Sequence, residues 1–200
     1  MKVLVVGGTG TIGSAVVRLL AAEHEVVSVA HSSGEVRVDI ASPDSIRRLF
    51  EQVGRVDAVV SCAGQAAFRP LEQLSEEDFR FSLGNKLMGQ VDLVRLGLEH
   101  VADGGSFTLT SGVLAQEPMP GSAAISLVNA GLEGFARAAA LEAPRGIRVN
   151  VVSPPWVSET LTAMGMDPSG GLPADTVALA YREAVSGMGN GEVLDARRFA

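Results

Sequence analysis

The segment KVLVV, residues 2 to 6, carries no polar residue after Lys2. A strand with one face in water alternates apolar and polar residues. A strand that is apolar throughout must be covered on both faces, which is how strands of parallel sheets sit between helices. The rest of the chain repeats the theme. Apolar, β-rich runs at 25–30, 35–40, 56–64, 105–111, 147–153 and 191–195 alternate with helical patterns at 12–23, 43–53, 76–100, 121–142 and 174–186. Parallel strands need crossovers, so this alternation predicts an α/β fold: a Rossmann-type doubly wound parallel sheet of about seven strands, helices on both faces, in one domain over 1–200.

Local punctuation supports these elements. Ser42, Pro43 and Gly54 read as cap, first turn and stop of the second helix. In the long helix over 76–100, Leu83, Leu87, Val91, Val94 and Leu98 form one apolar stripe.

The first strand runs directly into VVGGTGTIGSAV. Gly7, Gly10 and Gly13 at G-x-x-G-x-x-G spacing let the backbone approach a pyrophosphate, whose charge meets the N–H groups opening the first helix. The sequence thus predicts a dinucleotide site. After the second strand comes AHSSG, 30–34. The acidic residue that bonds a ribose 2′-hydroxyl in NAD sites is missing there. His31, Ser32 and Ser33 are candidate donors to a 2′-phosphate, although no Arg or Lys is present and Glu35 lies just beyond. NADP(H) is favoured over NAD(H).

Composition narrows the partners. The chain is 46% hydrophobic and 20% charged, with a net charge of -7 and no basic cluster, which argues against nucleic acid and anionic membranes. No apolar run approaches the ~20 residues of a membrane span, and MKVLVVGG is too short for a signal peptide. A cytoplasmic protein is expected. Cys62 is the single cysteine, and His24, His31 and His100 lack ligand spacing, so no metal site is expected.

With these motifs placed, the chain resembles the short-chain dehydrogenase/reductase family over nearly its whole length. Gly7 and Gly13 match its glycine loop, with Thr11 at the usual middle glycine. VDI places Asp39 at its adenine contact. SCAG stands for its N-N-A-G and keeps Ala63 and Gly64. LTSG gives Ser111 as its catalytic serine, and RVNVVSPPWV resembles its R-V-N-x-V-x-P-G-x-V. The resemblance implies a cofactor set of Gly7, Thr9, Gly10, Thr11, Ile12, Gly13, His31, Ser32, Asp39, Ile40, Ala63, Gly64, Asn129 and Pro154. It also implies hydride exchange with an unidentified alcohol or carbonyl substrate, and a homodimer or homotetramer through the helices at 76–100 and 121–142.

One departure is decisive for chemistry. NAGLEGFARAAALE tracks the family's helix and puts Asn129 at its lysine and Ile125 at its tyrosine. Ile125 has no ionisable proton, so the family's usual proton transfer cannot run on this pair. Ile125 instead joins an apolar stripe with Val128, Leu132, Phe135 and Ala139, and Tyr181, the single tyrosine, reads as core. Lys86 falls where the family has an asparagine. With Ser82 and Gly89 one turn either side, it is a candidate acid/base, or else a surface lysine whose stem covers apolar neighbours. Three readings follow: an oxidoreductase with an atypical site at Ser111 and Lys86, a silent dinucleotide sensor or partner subunit, or an isomerase, dehydratase or cyclase on the same scaffold. A loop at 160–173, rich in Met and Gly, would form the substrate lid.

Overall fold

The computed structural model describes residues 1–32 and 36–200. The first half of the chain gives β1 (Lys2–Val6), α1 (Thr11–Leu20), β2 (Glu25–Ala30), β3 (Val36–Arg37), α2 (Pro43–Val53) and β4 (Val56–Ser61). The second half gives α3 (Glu76–Ser82), α4 (Gly89–Gly97), β5 (Val101–Thr110), α5 (Ala123–Glu142), β6 (Arg148–Ser153), α6 (Ser158–Ala163), α7 (Ala174–Ser186) and β7 (Val193–Asp195). Among the described residues the strands form one seven-stranded parallel sheet, ordered β3-β2-β1-β4-β5-β6-β7. The order reverses between β1 and β4, and a doubly wound sheet binds ligands beyond the strand ends at such a switch point.

The apolar β1 is explained by its two cores. Leu4 and Val6 join a cluster with Phe50, Leu93, Phe107 and Leu132 on the α2, α4 and α5 side. Val3 and Val5 join Ala15, Val16, Val177 and Tyr181 on the α1 and α7 side. Tyr181 is fully buried, as its helical stripe predicts. Ser42 caps α2 through the Ser45 amide, Pro43 opens the helix, and Gly54 closes it at φ +72. Ser75 and Asp78 form a reciprocal capping box on α3.

The predicted helix over 76–100 is present throughout, but its winding changes along the way. Between α3 and α4 the backbone takes a π-helical turn at Leu83–Met88, and a 3-10 turn, Leu98–His100, leads into β5. The buried face matches the apolar stripe only in part. Ser82, Lys86, Gln90, Leu93 and Gly97 are buried, and of the stripe Val94 alone is fully buried, while Leu83, Leu87, Val91 and Leu98 are half-exposed. Close approach decides this. A Cβ on Gly97 would lie 2.5 Å from the Phe50 ring, and one on Gly89 would lie 2.9 Å from the Ile40 carbonyl. The small residues therefore face the sheet. The wider π turn, a feature common at functional sites, rotates Lys86 inward with them.

The other departures concern element ends. The third strand, Val36–Arg37 among the described residues, ends before residue 40, β4 stops at Ser61, and β5 begins at Val101. Residues 62–64 leave the sheet because Gly64, at φ +122, turns the chain toward Lys86.

Two glycines fix the first turn. Gly7 adopts φ +83, and a Cβ on Gly13 would lie 2.0 Å from the Gly7 carbonyl oxygen. No rotamer relieves a clash with backbone. Gly13→Ala is expected to lower unfolding stability by at least ~2 kcal/mol, measured by urea denaturation.

Candidate active site

The ends of β1 to β4 enclose a cleft of about 510 Å³. Its walls include Gly7, Thr9, Gly10, His31, Ser32, Asp39, Ile40, Ala63 and Gly64, all expected from the sequence to contact a dinucleotide. Thr11, Ile12 and Gly13 open α1 at its edge without lining it. Gly10 stands at the N-cap of α1 with no side-chain cap, so that helix end presents backbone donors. The Asp39 carboxylate accepts from the Ala41 amide at 2.9 Å. Ser33 and Glu35 lie outside the described residues.

Asn129, Pro154, Ser111 and Lys86 do not line this cleft. They come together next to it. Lys86 lies directly behind Gly64: a Cβ on that glycine would be 3.0 Å from Lys86 Cα and Cγ. Lys86 is buried, at 8% exposure, so the alternative of a surface lysine is excluded. Nζ donates to the Ser111 carbonyl at 3.1 Å, and burial lowers the pKa from 10.5 to about 8. Asn129 reaches the next carbonyl, Gly112 O, at 3.4 Å through Nδ2. Its buried Oδ1 has no hydrogen-bond partner among the described residues. The Val113 amide donates to Pro154 O at 3.0 Å, tying the loop after β6 to the same turn.

Two further residues hold this turn, and the sequence reading missed both. Gln90 is fully buried and grips β5 at both groups of one residue: its Nε2 donates to Thr110 O at 2.9 Å and its Oε1 accepts from Thr110 N at 2.8 Å. Glu133, 2% exposed, accepts from Ser111 Oγ at 3.2 Å and from Gln116 Nε2 at 2.8 Å. The Ser111 hydroxyl thus donates its hydrogen bond to Glu133, and what it offers elsewhere is acceptor capacity. A signal existed: Gln90 follows Lys86, and Glu133 follows Asn129, by four residues, which places each pair on one helix face.

Ile125 is half-buried and belongs to neither core cluster. The stripe expected from Ile125 to Ala139 is therefore core only in part: Val128 and Leu132 are fully buried, while Phe135 and Ala139 are half-exposed. Tyr181 approaches the strand ends from the opposite sheet face, with its hydroxyl 2.6 Å from Thr110 Oγ1. Burial raises that phenol above its ordinary range. Cys62 lines the cleft, and burial pushes its thiol up to about 12, so it is no nucleophile at neutral pH. Among the described residues no cluster could hold a metal ion, and no helix is long and apolar enough to cross a membrane.

Known proteins share this architecture. The chain is 42% identical to the protein lin1944 from Listeria innocua, covering 98% of each chain with a TM-score of 0.94. A crystal structure of a small-chain dehydrogenase in complex with NADPH is 26% identical, over 98% of this chain and 95% of that one, with a TM-score of 0.86. An uncharacterised oxidoreductase of Methylorubrum extorquens is 29% identical over 201 residues, 86% of this chain and 81% of its own. The hydroxynaphthalene reductase of Aspergillus fumigatus is 31% identical over 172 residues, and the match spans 78% of this chain but 63% of that relative. The sequence profile of enoyl-(acyl carrier protein) reductase matches residues 10–183. With a profile match of that extent and a glycine-lined cleft at the switch point of a parallel sheet, the chain belongs to the short-chain dehydrogenase/reductase family.

Proposed function

We propose that the protein is an NADP(H)-dependent reductase of a carbonyl substrate in which Lys86 handles the proton. The observation that carries this reading is the buried ammonium of Lys86 beside the glycine-lined cleft. The residues present fit a dinucleotide. Gly7 to Gly13 and the α1 N-terminus suit a pyrophosphate, Asp39 and Ile40 an adenine, and Asn129 and Pro154 the nicotinamide half. The unpartnered Asn129 Oδ1 suits a ribose hydroxyl donor. His31 and Ser32 are exposed donors in the cleft without an acidic residue beside them on β2, which favours a 2′-phosphate. A reduced nicotinamide bound there would supply hydride to the substrate carbonyl carbon.

The residues of the chain supply the proton. Ile125 and Asn129 stand where the family's tyrosine and lysine are expected, and neither titrates. Lys86 does, with a pKa of about 8 caused by burial. Below that pH its ammonium can donate to a developing alkoxide; above it, the free amine can accept a proton from an alcohol. Reduction should therefore fall as pH rises through about 8, and oxidation should rise. Lys86→Met should cut turnover at least 100-fold while changing NADPH affinity less than threefold. Nicotinamide absorbance over a carbonyl panel, with calorimetry for NADPH and NADH, checks both. Nucleotide binding without turnover on any carbonyl would leave the sensor reading in its place.

The same lysine carries a stability signature. Its folded pKa of about 8 lies below the unfolded 10.5, so between those values the unfolded chain binds more protons, and stability rises with pH. The depression corresponds to about 3 kcal/mol, offset in part by the bond to Ser111. Lys86→Met should raise unfolding stability at pH 7 by about 2 kcal/mol and flatten its rise between pH 8 and 10.

We also propose that the chain works as a homodimer or homotetramer. A groove of about 340 Å³ between α4 and α5 is lined by Val91, Val94, Leu98 and Phe135, with Arg95 and Glu142 among its lining. Val91, Leu98 and Phe135 are half-exposed there, beside the buried Val94. Opposite charges make the groove complementary to a second copy of itself. Light scattering at micromolar concentration should give two or four times the 20.7 kDa chain mass, and Val91→Asp should shift it to monomer.

A further inference from the structure

Three segments that leave the sheet at its C-terminal edge meet one another, and each is tied to residues around Lys86 and Ser111. The loop after β4 runs along α3 and the π turn, held by two side chains of that helix. The Gln65 amide donates to Asn85 Oδ1 at 2.7 Å, and the Ala67 amide to Ser82 Oγ at 2.9 Å. Phe68 follows four residues after Gly64, the residue packed on Lys86, so the chain path between them is at most about 14 Å. The segment after β6 carries Trp156, two residues beyond Pro154, whose carbonyl binds the turn following Ser111. The segment before α5 meets the first loop where the Arg69 amide donates to Gly121 O at 3.0 Å, and a Cβ on Gly121 would lie 3.4 Å from the Phe68 ring. Phe68 and Trp156 meet edge to face, with ring centroids 5.8 Å apart at 82°.

Phe68 keeps 42% of its surface in solvent, and Met119, next to the same junction, keeps 45%. A single exposed apolar residue means little. Here the exposed ring is braced by another aromatic side chain, and both rings stand on segments bonded to the groups around Lys86 and Ser111. Ile125, at the start of α5 four residues after Gly121, adds a half-buried apolar surface to the same end of the helix. An exposed ring braced by a second one, on segments tied to the surroundings of a buried ammonium, matches a ligand that is flat and apolar except at one oxygen.

We propose that Phe68 and Trp156 form an aromatic clamp that selects planar aryl carbonyl compounds, with the carbonyl oxygen toward Lys86. The clamp rests on the reading of this region as a carbonyl-reductase site, but binding to it does not require the nucleotide. Trp156 is the single tryptophan, so its fluorescence reports on the clamp directly.

The test titrates the nucleotide-free protein with 2-acetonaphthone and, separately, with 2-undecanone, an aliphatic ketone of similar size. Tryptophan emission is corrected for ligand absorption, and calorimetry runs in parallel. The aryl ketone should quench Trp156 saturably and bind at least tenfold more tightly than the aliphatic one. Phe68→Ala should weaken aryl binding about tenfold and leave NADPH binding unchanged, which also serves as the check on folding. Trp156→Phe should retain aryl binding by calorimetry, and Trp156→Ala should lose it. Equal binding of the two ketones, or aryl binding unaffected by Phe68→Ala, would overturn the clamp. Failure of NADPH to bind while the aryl ketone still quenches would instead strike the reductase reading.

Discussion

The ammonium of Lys86 lies in the interior with the Ser111 carbonyl as its hydrogen-bond partner, and much of the surrounding architecture accommodates that placement. Removing a cation from water costs several kcal/mol unless other groups compensate. The helix around Lys86 widens into a π turn, Gly64 gives up a side chain so that the loop can close over it, and Gly89 lets the next turn press onto Ile40. Gln90 then fixes the strand end and Glu133 the following hydroxyl, so the carbonyl that receives the ammonium is held from two helices. A side chain that only decorated the surface would need none of these contacts.

The sheet was legible because covered strands leave a strong mark. KVLVV and VDAVVS allow no wet face, and the glycine spacing needs the turn it occupies. The cleft at the switch point was legible for the same reason: its walls are glycines and strand ends, whose positions follow from the backbone. The neighbouring group was only half legible. Ser111, Lys86 and Asn129 were identified, but Gln90 and Glu133 were not. Their roles depend on which helix face turns inward, and periodicity pointed to the apolar face. Close contacts at Gly89 and Gly97, with Ile40 and with the Phe50 and Phe107 rings, turn the small residues inward and leave Leu83 and Val91 half-exposed.

Cation and amide therefore stand on opposite sides of one turn, the cation on the segment between α3 and α4 and the amide on α5. Both reach consecutive backbone carbonyls, Ser111 and Gly112. A Cβ on Gly112 would lie 2.9 Å from Asn129 Nδ2, so a side chain at residue 112 would make the amide shift. Groups fitted together this closely are expected to be coupled, and the energetic effect of changing any one should depend on the others.

The strand order has a consequence for the chain as it is made. The face of the sheet that carries α2, α4 and α5 is assembled from residues that have all emerged once β6 is complete at Ser153. The opposite face is not. Val3, Val5 and the apolar side of α1 are covered by α7, residues 174 to 186, and Arg18 on α1 pairs with Asp175 at its start. At a synthesis rate of ~5–20 residues per second, that face of the sheet, covered by α1 alone and with β7 still to come, lacks α7 for a period on the order of seconds. The nascent protein spends that interval with an apolar surface made of its own first strand, which makes this the stage at which a chaperone would have most to hold.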